Sequence, residues 1–317
     1  MAYENLAGKY RPQTFSDIVG QGSITKTLSN ALKLGRIAHA YLFFGPRGCG
    51  KTTMARLLAK AVNCGKMTGG EPCNRCVSCL EIAKGRSIDV LEIDAASHTQ
   101  VDKIREVIID TVSLVPGRDK FKIFILDEVH MLSSSSFNAL LKTVEEPPEH
   151  VLFIMATTEQ SKIPATIISR CQSFRFKPLT MELIAGRLKE VVSKEKLSVE
   201  TEALAALAEA AAGSMRDGLT LLDRAVSFST GRIDAATVAE LVGHAGDKIL
   251  RELAFAVLKR DGVALHGAFG KFISEGHDVT VMLRDLRNLF ARAFLAGAGF
   301  SGDAASLAAE IASAAAD

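Results

Sequence analysis

The sequence has no tryptophan and only three tyrosines among its 317 residues. Proteins that grip single-stranded nucleic acid stack bases on aromatic rings, and this chain lacks the material for such a platform. An excess of either charge is also missing. Thirty-eight Lys and Arg balance 36 Asp and Glu, for a formal net charge of +2. No global field draws the chain to nucleic acid, so any such binding has to use a local patch. No apolar run approaches the length of a membrane span, and residues 1–9 lack the apolar core of a secretory signal. A cytoplasmic protein without a membrane partner is therefore expected. Cysteines are few, six in all, but four fall between Cys64 and Cys79. In a cytosolic chain that clustering points to metal before disulfides.

What is present is an ordinary globular composition, 48% hydrophobic and 23% charged. The length predicts two or three domains.

The strongest local signal is Gly45, Pro46, Arg47, Gly48, Cys49, Gly50, Lys51 and Thr52. They fit G-x-x-x-x-G-K-[ST], the P-loop that holds nucleotide phosphates. The apolar run Ala40–Phe44 before it reads as a buried strand. Thr53–Ala61 after it carries Met54, Leu57, Leu58 and Ala61 at helical spacing. Glycines let backbone N–H groups turn inward around phosphate, and the helix N-terminus adds its positive dipole end. Lys51 is placed to reach the β- and γ-phosphates, and the Thr52 hydroxyl to ligate Mg²⁺.

From the start to about Pro178, strands and helices alternate. Strands are expected at Tyr41–Phe44, Val90–Ile93, Lys122–Leu126, Val151–Ala156 and Ser173–Phe176. Helices are expected near Ile24–Leu34, Thr53–Val62, Val101–Val112 and Ser136–Val144. This alternation predicts an α/β fold, a parallel sheet with helices on both faces. The pattern then turns all-helical. Thr180 and Ser198 read as N-caps of two helices, Gly213 as a stop, and Met215–Phe228 as a third helix. Further helices are expected from Asp247 and over His277–Ala296, and the alanine-rich end reads as a weak helix or a frayed tail. The domain boundaries read as 1–178, 179–243 and 244–317.

A second signal is Ile123–Leu126 followed by Asp127 and Glu128. Two carboxylates end an apolar strand, at the edge where open α/β sheets bind ligands. Asp127 is placed to hold the Mg²⁺ that Thr52 touches, and Glu128 to polarise a water attacking the γ-phosphate.

The four cysteines are spaced C-x8-C-x2-C-x2-C (Cys64, Cys73, Cys76, Cys79). Four thiolates can close a tetrahedral zinc site with no position left for a catalytic water. An iron–sulfur centre is the rival, but Ala83-Lys84 stands where its usual Cys-Pro would follow. Cys49 and Cys171 read as small packing residues. His130 reads as a satisfied histidine at a strand end, and Glu145-Glu146-Pro147-Pro148 as a helix end and turn.

KYRPQTFSDIVGQ at Lys9–Gln21, the P-loop, DEVHML at Asp127–Leu132, NALLKTVEEPP at Asn138–Pro148, ATT at Ala156–Thr158 and SRC at Ser169–Cys171 recur in that order. Together they resemble the gamma/tau family of bacterial DNA polymerase III, the clamp-loader ATPases, over about Tyr3 to Gly243. The resemblance implies an AAA+ fold: an ATPase domain, a small helical lid and a helical collar. It implies an ATP hydrolase, part of a DNA polymerase holoenzyme, that uses ATP, Mg²⁺ and Zn²⁺ in DNA replication. It further implies partners: delta, delta-prime and further gamma/tau copies, the sliding clamp and primed template DNA.

By resemblance, Arg170 is the arginine finger that acts on ATP bound to a neighbouring subunit. Its permanent charge and planar fork suit phosphate oxygens. Thr157 resembles the first sensor, with Thr158 the alternative if register shifts by one. Arg216 resembles the second sensor. A cation in the first turn of a helix opposes the dipole, which makes sense opposite an anion. Tyr10, Arg11 and Val19 fall in the segment that packs around adenine and ribose, and Gly45, Gly48, Cys49, Gly50 and Thr53 complete the nucleotide set. The family carries a similar cysteine insert.

The chain departs from its relatives after Ala95-Ala96-Ser97. His98 and Gln100 stand where the family often has Arg and Lys, which leaves Lys103, Arg105 and Lys142 as phosphate contacts. Weaker DNA contact per subunit is expected. The stretch after Gly243 is shorter than the family's collar, which leaves a shortened chain and the natural short form as alternatives. Rival readings are a non-hydrolysing scaffold subunit of the same loader, an AAA+ helicase or branch-migration motor, and a zinc-dependent DNA-binding module with a vestigial P-loop.

Overall fold

Five short segments make the central sheet, apolar runs in its three inner strands and mixed sequence in its two edge strands. In the computed structural model, which describes residues 4–96, 108, 110–229, 231–242, 247–274 and 279–297, they form β1 (Ala40–Phe44), β2 (Val90–Asp94), β3 (Lys122–Asp127), β4 (Val151–Thr157) and β5 (Gln172–Arg175). The sheet is parallel with order β2-β3-β4-β1-β5. That order puts the P-loop strand between β4 and β5, with β3 on the far side of β4. Phe44 pairs with Thr157 and Asp94 with Asp127, so the chemistry-bearing strand ends share one edge.

Alternation along the strands sorts side chains into two cores. Tyr41, Phe43, Ile123, Ile125, Leu152 and Ile154 face one way, against Leu28 of α1 (Gly22–Lys33) and Met54, Leu57 and Leu58 of α2 (Lys51–Val62). Leu42, Phe124, Leu126, Phe153 and Met155 face the other way. With Ile163 and Ile167 they pack among Phe137 and Leu140 of the helix Ser134–Glu145. All seven residues of β4 are buried, as a central strand covered on both faces requires.

α3 (Val77–Ala83) is a short helix inside the cysteine-rich insert, and Ser134–Glu145 is α4. Of the helix expected over 101–112, the described residues include a final turn, Asp110–Val112. His98, Gln100, Lys103 and Arg105 lie outside the described residues.

The longer helices that follow are α5 (Met181–Glu195), α6 (Thr201–Ala210), α7 (Met215–Phe228), α8 (Ala235–Val242), α9 (Asp247–Leu258), α10 (Gly262–Ser274) and α11 (Val279–Gly297). Thr180 caps α5 as expected, its hydroxyl accepting from the Leu183 N–H. Ser198 does not cap α6, which starts at Thr201. The Ser198 carbonyl instead accepts the Ile233 N–H, beside a parallel bridge between Val199 and Ile233. That pairing holds the backbone extended for two residues longer. α8 and α10 escape the sequence reading. α10 contains Gly262, Gly267 and Gly270, which weaken helix propensity. It forms because the Asp261 carboxylate caps Val263 and Ala264, and Ala268 and Phe272 bury against Leu250, Leu253 and Met282.

By packing, the chain divides into Met1–Lys196 with Leu207–Asp223, and Leu197–Ala206 with Arg224–Asp317. The first unit carries the sheet and everything described in the next section. Among the described residues no helix is long and apolar enough to cross a membrane.

Candidate nucleotide site and cysteine cluster

The loop from Gly45 to Gly50 needs backbone that side chains rarely adopt. Gly50, the N-cap of α2, has φ +104°, and Gly48 has φ +71°. A Cβ on Gly48 would lie 1.9 Å from the Ser214 hydroxyl, so the loop passes directly against the start of α7. Lys51 is 5% exposed, and its ammonium donates to the carbonyls of Gly45 and Pro46 at 2.9 Å each. Gly45 itself stands behind the loop, its N–H donating to the Thr157 carbonyl.

Beside the loop is a cleft of about 670 Å³. Gly48, Cys49, Gly50, Lys51, Thr52 and Thr53 line one wall, and Asp127 and Glu128 a second. Tyr10, Arg11 and Val19 line a third, and Arg216 a fourth. Every expected nucleotide residue except Gly45 reaches it, with Arg47 and Arg187 in addition. Arg11 is half-buried; burial first, then nearby Arg56, pushes its pKa below the usual guanidinium range. Among the described residues neither Arg11, Arg47 nor Arg216 forms an ion pair. Three cations without a carboxylate partner, Arg11 partly buried and Arg47 and Arg216 exposed, make an anion-receiving wall.

The Thr52 hydroxyl donates to Asp127 Oδ2 at 2.7 Å, so the two expected Mg²⁺ ligands already share one point. Burial chiefly raises the Asp127 pKa above the usual carboxylate value, against the hydrogen bonds from Thr52 and the Glu128 N–H. Hard oxygen donors, one of them a desolvated carboxylate, fit a divalent cation that also binds phosphate.

Glu128 sits in the left-handed region, φ 46° and ψ 44°. This turn aims its carboxylate at the end of β4, where Oε2 accepts from the Thr158 hydroxyl at 3.1 Å and the Thr158 N–H at 3.3 Å. His130, nearly buried, lies 3.4 Å from that oxygen through Nδ1. The same nitrogen is 3.0 Å from the Thr157 hydroxyl, and Nε2 is 3.3 Å from Glu159. Thr157 is fully buried and among the described residues meets Glu128 only through His130, whereas Thr158 touches it directly. Both sensor candidates thus belong to one network, and His130 is its centre. Sequence reasoning set His130 aside as a satisfied histidine. It is satisfied, but by the groups that orient Glu128. Thr158 and Glu159, just past a strand end, were the available clue.

Arg170 lies outside the cleft on the surface. Its guanidinium donates to Glu145, to the Thr166 carbonyl at 2.8 Å and to Ser169. Glu145, read only as a helix end, is its carboxylate partner. Cys49 packs in one core and Cys171 against the other. Burial raises both thiols, Cys171 to about 11, which suits packing roles. Lys142 is exposed on α4.

The four clustered sulfurs all lie within 4.8 Å of one another. Thiolates around one tetrahedral ion stand about 3.8 Å apart, so the cluster has the size of a single-ion site. Cys73 Sγ accepts from the N–H groups of Arg75 and Cys76, which pull its pKa down to about 6. Cys64 Sγ accepts the Cys73 N–H. Burial raises Cys64 and Cys79. Backbone donors aimed at sulfur are the mark of a site made for thiolates.

Comparison with known proteins decides what this arrangement belongs to. A family described as DNA polymerase III, delta subunit, matches residues 20–180. One described as DNA polymerase III clamp loader subunit, ATPase lid domain, matches residues 183–231. The DNA polymerase III subunit gamma of Buchnera aphidicola (subsp. Acyrthosiphon pisum) is 48% identical over 82% of this chain and 72% of its own length. The chain belongs to the DNA polymerase III tau/gamma family. Subunit tau of Escherichia coli is 44% identical over 92% of this chain and 45% of its own length. Subunit tau of Bacillus subtilis is 47% identical over 90% and 51%. The chain therefore spans about half the length of these tau relatives.

Among solved structures, Thermotoga maritima RuvB variants align with TM-scores of 0.55–0.57 at 18–20% identity. One covers 87% of this chain and 91% of that chain. This likeness fixes an AAA+ fold and nothing finer. Fold and family together make the chain an AAA+ member of the DNA polymerase III tau/gamma family.

Proposed function

We propose that this chain is the ATP-hydrolysing motor of a sliding-clamp loader. In this reading residues 1–178 form the ATPase domain with a zinc module at 64–79. Residues 179–243 form the lid and 244–317 a collar that assembles with delta, delta-prime and further gamma/tau copies. The observation that carries it is the Thr52–Asp127 hydrogen bond within reach of Lys51 and Glu128, at the foot of a cation-lined cleft.

Thr52 and Asp127 would hold Mg²⁺, which when bound neutralises phosphate charge. Lys51 exchanges its two loop carbonyls for phosphate oxygens, and the Gly48–Thr52 N–H groups cradle the rest. Tyr10, Arg11 and Val19 enclose the nucleoside, and Arg216 closes the cleft over the phosphates. Glu128 leaves Thr158 and His130 to orient the attacking water and accept its proton. Thr157 reads the state of the site through His130. Arg170 leaves Glu145 for ATP on the neighbouring subunit, where trans fingers contribute about 10³–10⁵ in rate. Cys64, Cys73, Cys76 and Cys79 would bind one Zn²⁺ as a structural ion. ATP binding then grips the clamp and primed template DNA, and hydrolysis releases both.

Glu128→Gln tests this reading. With partner subunits, clamp and primed DNA present, kcat for ATP should fall roughly 10²–10⁴-fold while ATP binding persists. An unchanged kcat overturns the reading in favour of a scaffold.

A further inference from the structure

The cysteine cluster lies away from the chemistry, and the proposed reaction gives it nothing to do. Its connections are more telling than its metal. Between Cys64 and Cys73 the chain makes a tight hairpin: Thr68 and Glu71 exchange backbone hydrogen bonds around Gly69 and Gly70. Both glycines have positive φ, +63° and +82°, as a type I′ turn needs. A Cβ on Gly70 would lie 2.7 Å from the Ser29 carbonyl, so the hairpin presses on α1.

Glu71 leaves this hairpin and meets the segment that walls the cleft. Its carboxylate accepts the Phe15 N–H at 2.7 Å, the Ser16 N–H at 3.0 Å and the Ser16 hydroxyl at 2.8 Å. These two N–H groups begin a one-turn helix and have no partner within it. Phe15 and Ser16 lie between Arg11 and Val19, both of which line the cleft. A second tie runs underneath. Lys60, 2% exposed, donates to the Gln13 carbonyl at 3.2 Å and to its side-chain oxygen at 2.9 Å. The Lys60 carbonyl faces Cys79 Sγ at 4.0 Å. Elsewhere in this stretch the Gln13 side-chain amide donates to the Arg11 carbonyl, Gln13 and Thr14 bond to Asp17, and the Phe15 side chain is buried in the core.

We propose that the cysteine module is a positioning device for the nucleotide-binding N-terminal segment, with Glu71 as its contact residue. The module holds Phe15 and Ser16, and thereby sets where Arg11 and Val19 stand against the nucleotide. This rests on reading the cleft as a nucleotide site. The site's affinity then depends on a metal that never approaches the phosphates.

The full-length chain, wild type and Glu71→Ala, is titrated with a fluorescent ATP analogue before and after chelation. Amide hydrogen exchange is followed over residues 10–19. Glu71→Ala should weaken binding about tenfold, equal to a modest loss of preorganisation. KM for ATP should rise with kcat unchanged. Chelating the wild type should produce a similar loss, and chelating Glu71→Ala should add little, because both break one linkage. Exchange over 10–19 should quicken in each case. Glu71→Gln, which keeps an acceptor oxygen, should recover part of the affinity and serves if the alanine variant does not fold. Unchanged affinity in Glu71→Gln and in chelated wild type overturns the proposal, as do losses that add in full. A wild type that binds no nucleotide, with residues 10–19 still protected, overturns the site reading and this inference with it.

Discussion

The sheet interior and the cysteine module keep their shapes by different means. β3 and β4 are held by apolar burial on both faces, with Phe124 and Phe153 stacked at 5.3 Å between centroids. The module has one seven-residue helix, four thiols and a ring of polar ties. Ser78 meets Asp119, Arg118 pairs with Glu81, and Asn63 exchanges two hydrogen bonds with the Phe121 backbone. Asp89 accepts three N–H groups, from Gly117, Arg118 and Asp119, and so fixes the loop that carries these ties. The lesson is one of direction. Burial stabilises without pointing anywhere, whereas each polar tie sets the position of a particular segment relative to the site.

The largest effect should come from the apolar side. Phe153→Ala should lower stability by about 3–5 kcal/mol, read by urea unfolding. A loss under about 1 kcal/mol would break the comparison, because it would mean the sheet does not depend on its core. The polar side should respond less, and to pH. Burial pushes the Asp89 carboxyl up, but the three backbone donors outweigh it and hold it below the usual carboxylate value. A carboxylate lowered in the folded state adds stability above its unfolded pKa, and that stability is lost as pH falls through the folded value. Asp89→Asn should therefore cost roughly 1–3 kcal/mol at neutral pH. The gap from wild type should close below pH about 4. A gap that stays constant down to acid pH would show that the ties act through packing alone. The smallest effect belongs to the Arg56–Glu92 pair, bidentate at 2.6 and 2.7 Å but about a quarter exposed on each side. Arg56→Ala should cost about 0.2–1 kcal/mol and less in high salt.

The same contrast explains what could be read from the sequence. The inner strands were legible because each carries an unbroken apolar run, and the P-loop and Asp127-Glu128 because their members are consecutive. The thiols were legible from spacing alone. The links between segments were not. Glu71 meets Phe15 and Ser16 across more than fifty residues, and Arg170 meets Glu145 across 25. Nothing local to either partner signals the other. His130 shows a third kind of limit. Its residue type was visible, but its place between Glu128, Thr157 and Glu159 follows from the left-handed turn at Glu128. α10 escaped because its glycines obscure a helix that the Asp261 cap and packing on Phe272 stabilise.

Gly48 carries one more consequence. Between the P-loop and the first turn of α7 there is no side chain from the loop, only a hydrogen atom facing the Ser214 hydroxyl. Two parts in such close approach have little room to move toward one another. A displacement of the loop toward α7 is passed to the first turn of that helix by direct contact. The loop is a push-rod as well as a cradle.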